Sequence, residues 1–314
     1  MSAEPTLTAE GFYKMLVRRA DGSTRQETPW FPNLILDAGL DRYLSNGDIV
    51  GTSGTFKVGT NSTAPAVSQT QLLSQVASSG SNAPSLGAIR TTAGSSSPWW
   101  GGVIYGGRFD AGSLAGQALT EVGIGWTSTA CFSRALIKPD GVNVGAITVL
   151  ADETLEVYYE LRVYPAAADA TGNVTLGGIN YSFTIRPSQV SLSSGFCLAQ
   201  ALSSNVFGST DYPAAGFSSA TLGAADAAPN GNSNTGNGYA TSSVPQTYTN
   251  GSFSRVLQVT WGLDRLNTPS GDIQAIQYYL GKIGAYQVVF SPPIPKGSTK
   301  TLRLDFTTTL ARRP

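Results

Sequence analysis

The chain has 314 residues, of which 13% are charged, and its 20 basic and 20 acidic residues leave a formal net charge of zero. Soluble domains usually carry about 25% charged residues, and nucleic-acid binding needs clustered Lys and Arg, so we expect no nucleic-acid partner. The sequence contains no histidine. Its absence excludes Ser-His and Cys-His nucleophile pairs and removes the commonest transition-metal ligand, so we expect no enzymatic activity, no metal and no cofactor.

The two cysteines, Cys131 and Cys197, are far apart and flanked by apolar residues. We interpret both as small buried hydrophobic residues, with a disulfide as the open alternative. The N-terminal stretch MSAEPTLTAEG lacks the basic-then-apolar pattern of a signal peptide. No run of about 18 apolar residues occurs either. We therefore expect synthesis and assembly in a cytoplasm and no membrane insertion.

Residues 10–31 predict a β-hairpin, because a strand-like run is followed by the turn signal Ala-Asp-Gly-Ser. The next segment, between Pro32 and Gly47, predicts a helix with Asn33 as its N-cap. Its apolar positions at helical spacing are Leu36, Leu40, Tyr43 and Leu44. Gly39 costs this helix about 1 kcal/mol relative to Ala, so tertiary packing must hold it.

The following stretch is poor in charge, since Arg90 is the only charged residue from Thr60 to Ile104. Residues 55–60 (TFKVGT) predict a short strand. Residues 68–76 (SQTQLLSQV) predict a short helix with Leu72, Leu73 and Val76 inward. The remainder is typical of loops.

The stretch ALTEVGIGWTSTACFSRALI, residues 118–137, predicts two strands around a Thr-Ser-Thr turn. Alternation places Val122, Ile124 and Trp126 together in the core. Gly123 and Gly125 leave the opposite face bare, so another segment must pack close there.

Glu121 and Arg134 flank that turn at similar distances. In a hairpin they can pair across the strands, which is worth about 0.2–1 kcal/mol. Glu121 and the consecutive acids Asp152 and Glu153, with Asp110 as a further acid, are also candidate carboxylates for glycan cleavage, although nothing in the sequence brings them together.

Residues 152–164 (DETLEVYYELRVY) alternate clearly and predict a half-buried antiparallel strand, with Glu156, Glu160 and Arg162 on a solvated face that deters edge pairing. In residues 173–187 (NVTLGGINYSFTIRP) the apolar positions are even-numbered before Gly177–Gly178 and odd-numbered after them. This change predicts a β-bulge or a tight hairpin at the two glycines.

Residues 203–250 contain only Asp211 and Asp226 as charged residues, and we interpret them as an inserted excursion that reaches a neighbouring subunit or a surface. The chain then returns to alternating strands. The expected organisation is an N-terminal hairpin, short helices and low-charge loops (1–98), a β-sandwich core (99–202), the insertion (203–250) and C-terminal strands that complete the core (251–314).

A weak internal repeat links the middle of the chain to its end. The matched residues are Phe132, Ser133, Leu136 and Lys138 with Phe290, Ser291, Ile294 and Lys296, and Thr154, Leu155, Val157 and Tyr159 with Thr301, Leu302, Leu304 and Phe306. Chance similarity between β-strands is one explanation, and duplication of a β-sheet unit is the other. The predicted fold is mainly β, with antiparallel β-sandwich-like sheets, duplicated if the repeat is real, and one or two short helices.

Aromatic residues supply the candidate contact sites. Trp99 and Trp100 lie beside two glycines, and five more aromatics lie in the insertion: Phe207, Tyr212, Phe217, Tyr239 and Tyr248. Exposed rings of this kind suit a subunit interface or carbohydrate stacking, and burial in the core is the third possibility for the tryptophans.

Two combinations of segments resemble structural proteins of tailed bacteriophages. The first is NLILDAGLDRYL followed by FKVGTNSTAPAVSQTQLLSQ, and the second is LTEVGIGW and FSRALI followed by LADETLEVYYELRVYP. The resemblance covers about residues 30–165, and less firmly 255–312, where PPIPK occurs; the insertion is not part of the pattern.

This resemblance implies a virion component, known as a tail, tail-fibre or minor tail protein, without catalytic residues. We therefore expect a non-enzymatic part of the tail apparatus, at the tail tip, baseplate, collar or fibre attachment. It would form a homo-oligomer in a symmetric assembly, with other tail or neck proteins as partners. The alternatives are a module that binds a host receptor or surface glycan and a depolymerase that uses Glu121 and Asp152.

Overall fold

The computed structural model describes residues 4–46, 55–83, 89–93, 98–166, 168–188, 214–233, 238–267, 272–279 and 285–314. Strands make up 55% of the structure and helix 4%, arranged as several antiparallel sheets. This confirms the predicted mainly-β, sandwich-like fold. One helix, α1 (Asp37–Asn46), lies in the described part of the chain.

The chain divides into two compact units, both built from separated segments. Unit 1 comprises Met1–Thr8, Ala93–Gly101 and Val163–Ala311; unit 2 comprises Ala9–Thr92, Gly102–Arg162 and Arg312–Pro314.

The strands up to residue 164 are β1 (Thr6–Arg18), β2 (Thr24–Glu27), β3 (Phe31–Pro32), β4 (Leu34–Ile35), β5 (Thr55–Gly59), β6 (Gln75–Ser79), β7 (Ile89–Ala93), β8 (Gly101–Phe109), β9 (Ala118–Leu119), β10 (Glu121–Gly125), β11 (Ser133–Leu136), β12 (Ile147–Thr148) and β13 (Thr154–Tyr164). The later strands are β14 (Ala170–Leu176), β15 (Ile179–Ser188), β16 (Ala214–Thr221), β17 (Asn230–Ser233), β18 (Ser242–Pro245), β19 (Ser254–Trp261), β20 (Asp272–Tyr279), β21 (Ala285–Pro295) and β22 (Leu302–Arg312).

Unit 2 is built from two main sheets. Strands β1, β13, β8 and β7 follow one another in the first, where β2 and β3 also pair with β1, and the second has the order β4-β11-β10-β5-β6. Tyr13 of β1 lies 4.9 Å from Tyr159 of β13, and Phe132, just before β11, lies 6.2 Å from the Tyr159 ring. The Tyr13 hydroxyl is 2.7 Å from the hydroxyl of Ser133 in β11. These contacts join the two sheets into a sandwich.

Unit 1 has a six-stranded sheet of order β14-β15-β21-β20-β16-β17, and β19 pairs with both β18 and β22. All resolved pairings in these groups are antiparallel. Tyr278 of β20 stacks on Phe306 of β22 with ring centroids 4.0 Å apart and on Tyr286 of β21 at 5.6 Å. Aromatic rings therefore fill the space between two sheets here as well.

The internal repeat falls on both units. Phe132 and Tyr159 belong to unit 2, and their counterparts Phe290 and Phe306 belong to unit 1. In each unit the second strand of the repeat supplies a ring to the aromatic core, at Tyr159 and at Phe306. This placement agrees with duplication of a β-sheet unit.

Helix α1 differs from the prediction at its start. Leu34 and Ile35 pair with Arg134 and Ser133 of β11, so Asn33 precedes a strand and its prediction as N-cap is wrong. The four inward positions are confirmed, since all are buried: Leu36, Leu40, Tyr43 and Leu44.

Residues 68–76 do not form the predicted helix. Leu72 is buried, but Leu73 and Val76 are 46% and 40% exposed, and β6 begins at Gln75. The backbone of this segment bonds to the neighbouring sheet instead: the Cys131 amide donates to the Thr70 carbonyl at 2.8 Å. Helical periodicity cannot reveal such partners, because they lie far away in sequence.

The strand predicted over 152–164 forms as β13, but its polar face is not solvated. Glu156 and Glu160 are 3% and 4% exposed, because β13 lies between β1 and β8. Arg18 of β1 binds Glu156, and the Arg162 guanidinium lies 4.7 Å from the centroid of the Phe12 ring.

The predicted turns are confirmed. Gly22 has a φ of 83° in the turn between β1 and β2, and Gly177 and Gly178 have φ of 57° and 83° in a two-residue hairpin between β14 and β15. Residues 214–221, 230–233 and 242–245 of the expected insertion supply β16, β17 and β18 of unit 1. Cys131 is a buried free thiol; Cys197 lies outside the described residues.

Gly39 gives a direct test of how α1 packs. A Cβ atom at this position would lie 2.2 Å from the Phe132 carbonyl oxygen, so Gly39→Ala must displace backbone. We expect it to lower the free energy of unfolding by about 1–3 kcal/mol, although Ala favours a helix. Urea denaturation measures the change. Gly80→Ala, which would meet no atom within 4 Å, is the matched control, and equal behaviour of the two variants would contradict this packing.

Candidate functional site

A buried ion pair lies at the centre of the second sheet of unit 2. Glu121 begins β10, the middle strand, and Arg134 lies on the adjacent β11. The Arg134 Nε atom donates to the Glu121 carboxylate at 2.8 Å, and both side chains are 0% exposed. The expected cross-strand pair is confirmed. Because both side chains are completely buried, the stabilisation of about 0.2–1 kcal/mol expected for a cross-strand pair does not apply to it.

Both partners also bind residues 60–74, the covering loop. The Glu121 carboxylate accepts the backbone amides of Leu73 and Ser74 at 3.2 and 2.7 Å. Arg134 donates through Nη1 to the Gln69 side-chain oxygen and through Nη2 to the Thr63 carbonyl, both at 2.9 Å. The ion pair therefore satisfies polar groups of the loop that the sheet alone could not.

The bare glycine face of β10 is what admits the covering loop. A Cβ atom on Gly123 would lie 2.9 Å from the Cys131 sulfur and 3.1 Å from the Leu72 side chain. The expectation that another segment packs close to these glycines is thus confirmed. Trp126, in contrast, is half-buried outside β10, with the Arg42 guanidinium 5.5 Å from its ring centroid, so its predicted place in the core is wrong.

Lys57 is a second buried cation on the same face. It lies opposite Gly123 in the β5–β10 pairing, its side chain is 0% exposed, and its Nζ atom donates to the Thr55 carbonyl at 2.9 Å. Burial lowers the pKa of Lys57 to about 8, and burial raises the pKa of the nearby Cys131 thiol to about 11. The thiol is therefore protonated and unreactive at neutral pH.

A shallow cleft of about 590 Å³ lies elsewhere on unit 2, lined by Arg18, Arg19, Ala20, Gly22, Arg108, Ala111, Asp152, Thr154 and Glu156. Arg18 binds Glu156 through two bonds of 2.9 and 3.2 Å, and Arg108 lies 3.0 Å from Asp110. The guanidinium groups give this cleft several hydrogen-bond donors.

The candidate carboxylates for glycan cleavage have different surroundings. Glu121 is sealed beneath the covering loop, Glu153 is 2% exposed and bound to Arg25 at 2.5 Å, and Asp152 is exposed in the cleft. A polymeric substrate cannot reach Glu121 in this arrangement, so the structure does not present Glu121 and Asp152 as an acid–base pair.

The predicted aromatic contact residues are dispersed. Trp99 and Trp100 are half-buried just before β8, and the Trp100 ring lies 6.4 Å from Tyr164. Phe217 is 7% exposed and packs in the core of unit 1 with Ala220 and Ala275, so it does not form a surface there. Tyr239 is 57% exposed and Tyr248 is half-buried; Phe207 and Tyr212 lie outside the described residues.

Two polar residues of this region were missed by sequence reasoning. Lys57 lies in a predicted strand, but only the β5–β10 register places it opposite Gly123. Gln69 gave no signal, because its role depends on a loop conformation.

Within the described residues, no group of three or more Cys, Asp or Glu is placed to hold a metal ion. The one described helix is not long and apolar enough to span a membrane. No known protein family, curated protein or solved structure matches the chain.

Glu121→Gln tests the ion pair that positions the covering loop. The substitution keeps the size of the side chain but leaves the buried Arg134 charge without a counter-ion, so we expect a loss of about 3–5 kcal/mol in unfolding free energy. Glu27→Gln is the control, since Glu27 pairs with Lys14 but is 46% exposed, and it should cost less than about 1 kcal/mol. If urea denaturation gives similar losses of unfolding free energy for Glu121→Gln and Glu27→Gln, burial of the Glu121–Arg134 pair has no energetic consequence.

Lys57 predicts a pH dependence of stability. Its pKa is lower in the folded chain than in the unfolded chain, so between about pH 8 and the ordinary lysine pKa of about 10.4 the unfolded state binds more protons. Lys57 should therefore contribute a rise of unfolding free energy with pH in this window, by up to about 1.4 kcal/mol per unit. The raised pKa of Cys131 contributes a fall above about pH 8.5, so the Lys57 contribution is measured as the difference between the unsubstituted chain and Lys57→Met. That difference should grow with pH, whereas the difference from Lys300→Met, at an exposed lysine, should stay constant; equal pH profiles of Lys57→Met and the unsubstituted chain contradict the assignment.

Proposed function

We propose that the chain is a non-enzymatic structural component of the tail apparatus of a tailed phage, at the tip, baseplate, collar or fibre attachment. The observation that carries this proposal, beside the sequence motifs, is the exposure of apolar side chains on a chain whose formal net charge is zero. Val142 and Val144 are 73% and 52% exposed on a loop whose Gly141 lies against Pro29, and the neighbouring Trp30 is 37% exposed. Exposed apolar side chains that come close together in this way suit a protein–protein contact site.

The distribution of charge supports the same function. Glu121, Glu153 and Glu156 are buried, and each is paired with an arginine of the same chain. These three carboxylates therefore stabilise the fold and contribute little charge to the surface. A protein with zero net charge is prone to associate, which suits a subunit whose surfaces become interfaces.

Purified virions test the proposal. Mass spectrometry of particles from a phage that encodes the chain should find it in a fixed ratio to other tail proteins, and labelled antibodies should bind the tail. A phage-encoded protein that acts only inside the cell is the control, expected in the lysate but not in particles. A chain that is abundant in the lysate and missing from purified particles overturns the proposal.

Recognition of a host receptor or surface glycan is the second candidate function. Tyr239 favours it, because its ring is 57% exposed in unit 1 and exposed aromatic rings stack on sugars. Binding of the purified chain to host cells should then be reduced in Tyr239→Ala and kept in Tyr239→Phe. Unchanged binding in Tyr239→Ala, or no binding by the unsubstituted chain, removes this candidate.

A further inference from the structure

The edge of the six-stranded sheet of unit 1 has the properties of a strand-pairing surface. In the described part of the chain, β14 pairs with β15 on one side and no strand pairs with its other side. Its register with β15 runs from Ala170 opposite Ile185 to Leu176 opposite Ile179.

The two-residue turn at Gly177–Gly178 fixes which backbone groups face outward. Both glycines have positive φ, as in the type I′ hairpin, where the two residues that flank the turn exchange hydrogen bonds. Leu176 therefore directs its N–H and C=O groups towards β15. Because this direction alternates along an antiparallel strand, the amides and carbonyls of Thr171, Asn173 and Thr175 point away from the sheet.

The side chains of those three residues are exposed, and β14 carries none of the devices that usually block an edge. No Pro and no charged residue occurs between Asp169 and Arg186. Natural sheets protect long exposed edges with Lys, Pro or a bulge, whereas the β14–β15 register continues without interruption. This edge is compatible with an added strand.

We infer that the added strand is β14 of a second copy of this chain, paired antiparallel about a two-fold axis at Asn173. Thr171 of one copy then lies opposite Thr175 of the other, and Asn173 lies opposite its own counterpart. All three pairs present outward-facing N–H and C=O groups, so six main-chain hydrogen bonds form. The side-chain pairs are Thr with Thr and Asn with Asn, which stabilise cross-strand contacts without like-charge repulsion.

This interface between two copies rests on the proposed function only in one respect: the tail role would explain why the chain pairs with itself. Self-association is a property of the purified chain, whereas the tail role is decided by the composition of virions. Either can fail without the other.

Asn173→Lys and Asn173→Pro test the interface in the full chain. Lys places two like charges at the two-fold axis, and Pro removes an N–H that points away from β15 and leaves the ladder within the chain intact. Sedimentation velocity should show a dimer for the unsubstituted chain and a dissociation constant raised at least about tenfold in each variant, a loss of about 1.4 kcal/mol. Asn180→Lys is the matched control, because Asn180 is exposed on β15, one strand inside the edge.

Far-ultraviolet circular dichroism and the thermal midpoint confirm that each variant is folded. Asn173→Lys alone decides the inference if Asn173→Pro fails to fold, since an exposed side chain tolerates Lys. A monomeric unsubstituted chain, or a dimer that persists in folded Asn173→Lys, overturns the inference. An equal loss of the dimer in Asn180→Lys also overturns the inference, because an added positive charge would then disrupt the dimer wherever it is placed.

Discussion

Covering a β-sheet with a loop requires partners for the polar backbone groups of the loop, and buried side chains on central strands supply them in this protein. In unit 2 the carboxylate of Glu121 accepts two loop amides, and Arg134 donates to a loop carbonyl. An unpaired buried group of this kind costs about 1–3 kcal/mol. The position of the covering loop, the burial of Leu72 and the need for Gly123 all depend on this arrangement.

Unit 1 solves the same problem without a charge. Gln287 of β21 is 0% exposed; its side-chain oxygen accepts the Gly223 amide at 2.7 Å, and its amide nitrogen donates to the carbonyls of Pro187 and Ala224, both at 3.1 Å. A single amide group has both donors and acceptors, so it can bind a loop where unit 2 uses an acid and a base. The two units thus share a principle of construction, whether or not they share an ancestor.

Sequence pattern predicted the features that depend on neighbouring residues. The hairpin turns, the inward face of α1 and the existence of strand β13 follow from local periodicity and glycine placement, and the Glu121–Arg134 pair follows from hairpin geometry. Features set by distant contacts were not predictable. Residues 68–76 have a helical pattern but bind a sheet, and Glu156 looks solvated until Arg18 of β1 covers it. The burial of Phe217 was unpredictable for the same reason, since it depends on Ala275 of β20.

The use of charge inside the fold has a consequence for the surface. A chain with few charges that commits Glu121, Glu153 and Glu156 to buried pairs has fewer left to place on loops and sheet edges. Charged edge residues are the usual protection against unwanted strand pairing, and β14 carries none. In a free monomer such an edge would promote aggregation; in a symmetric assembly the same edge gives a defined register, because a two-residue turn fixes which groups face outward. The sparse charge of the sequence and the uncharged edge of the sheet are therefore both consistent with the proposed two-fold pairing of β14, in which this edge would be buried.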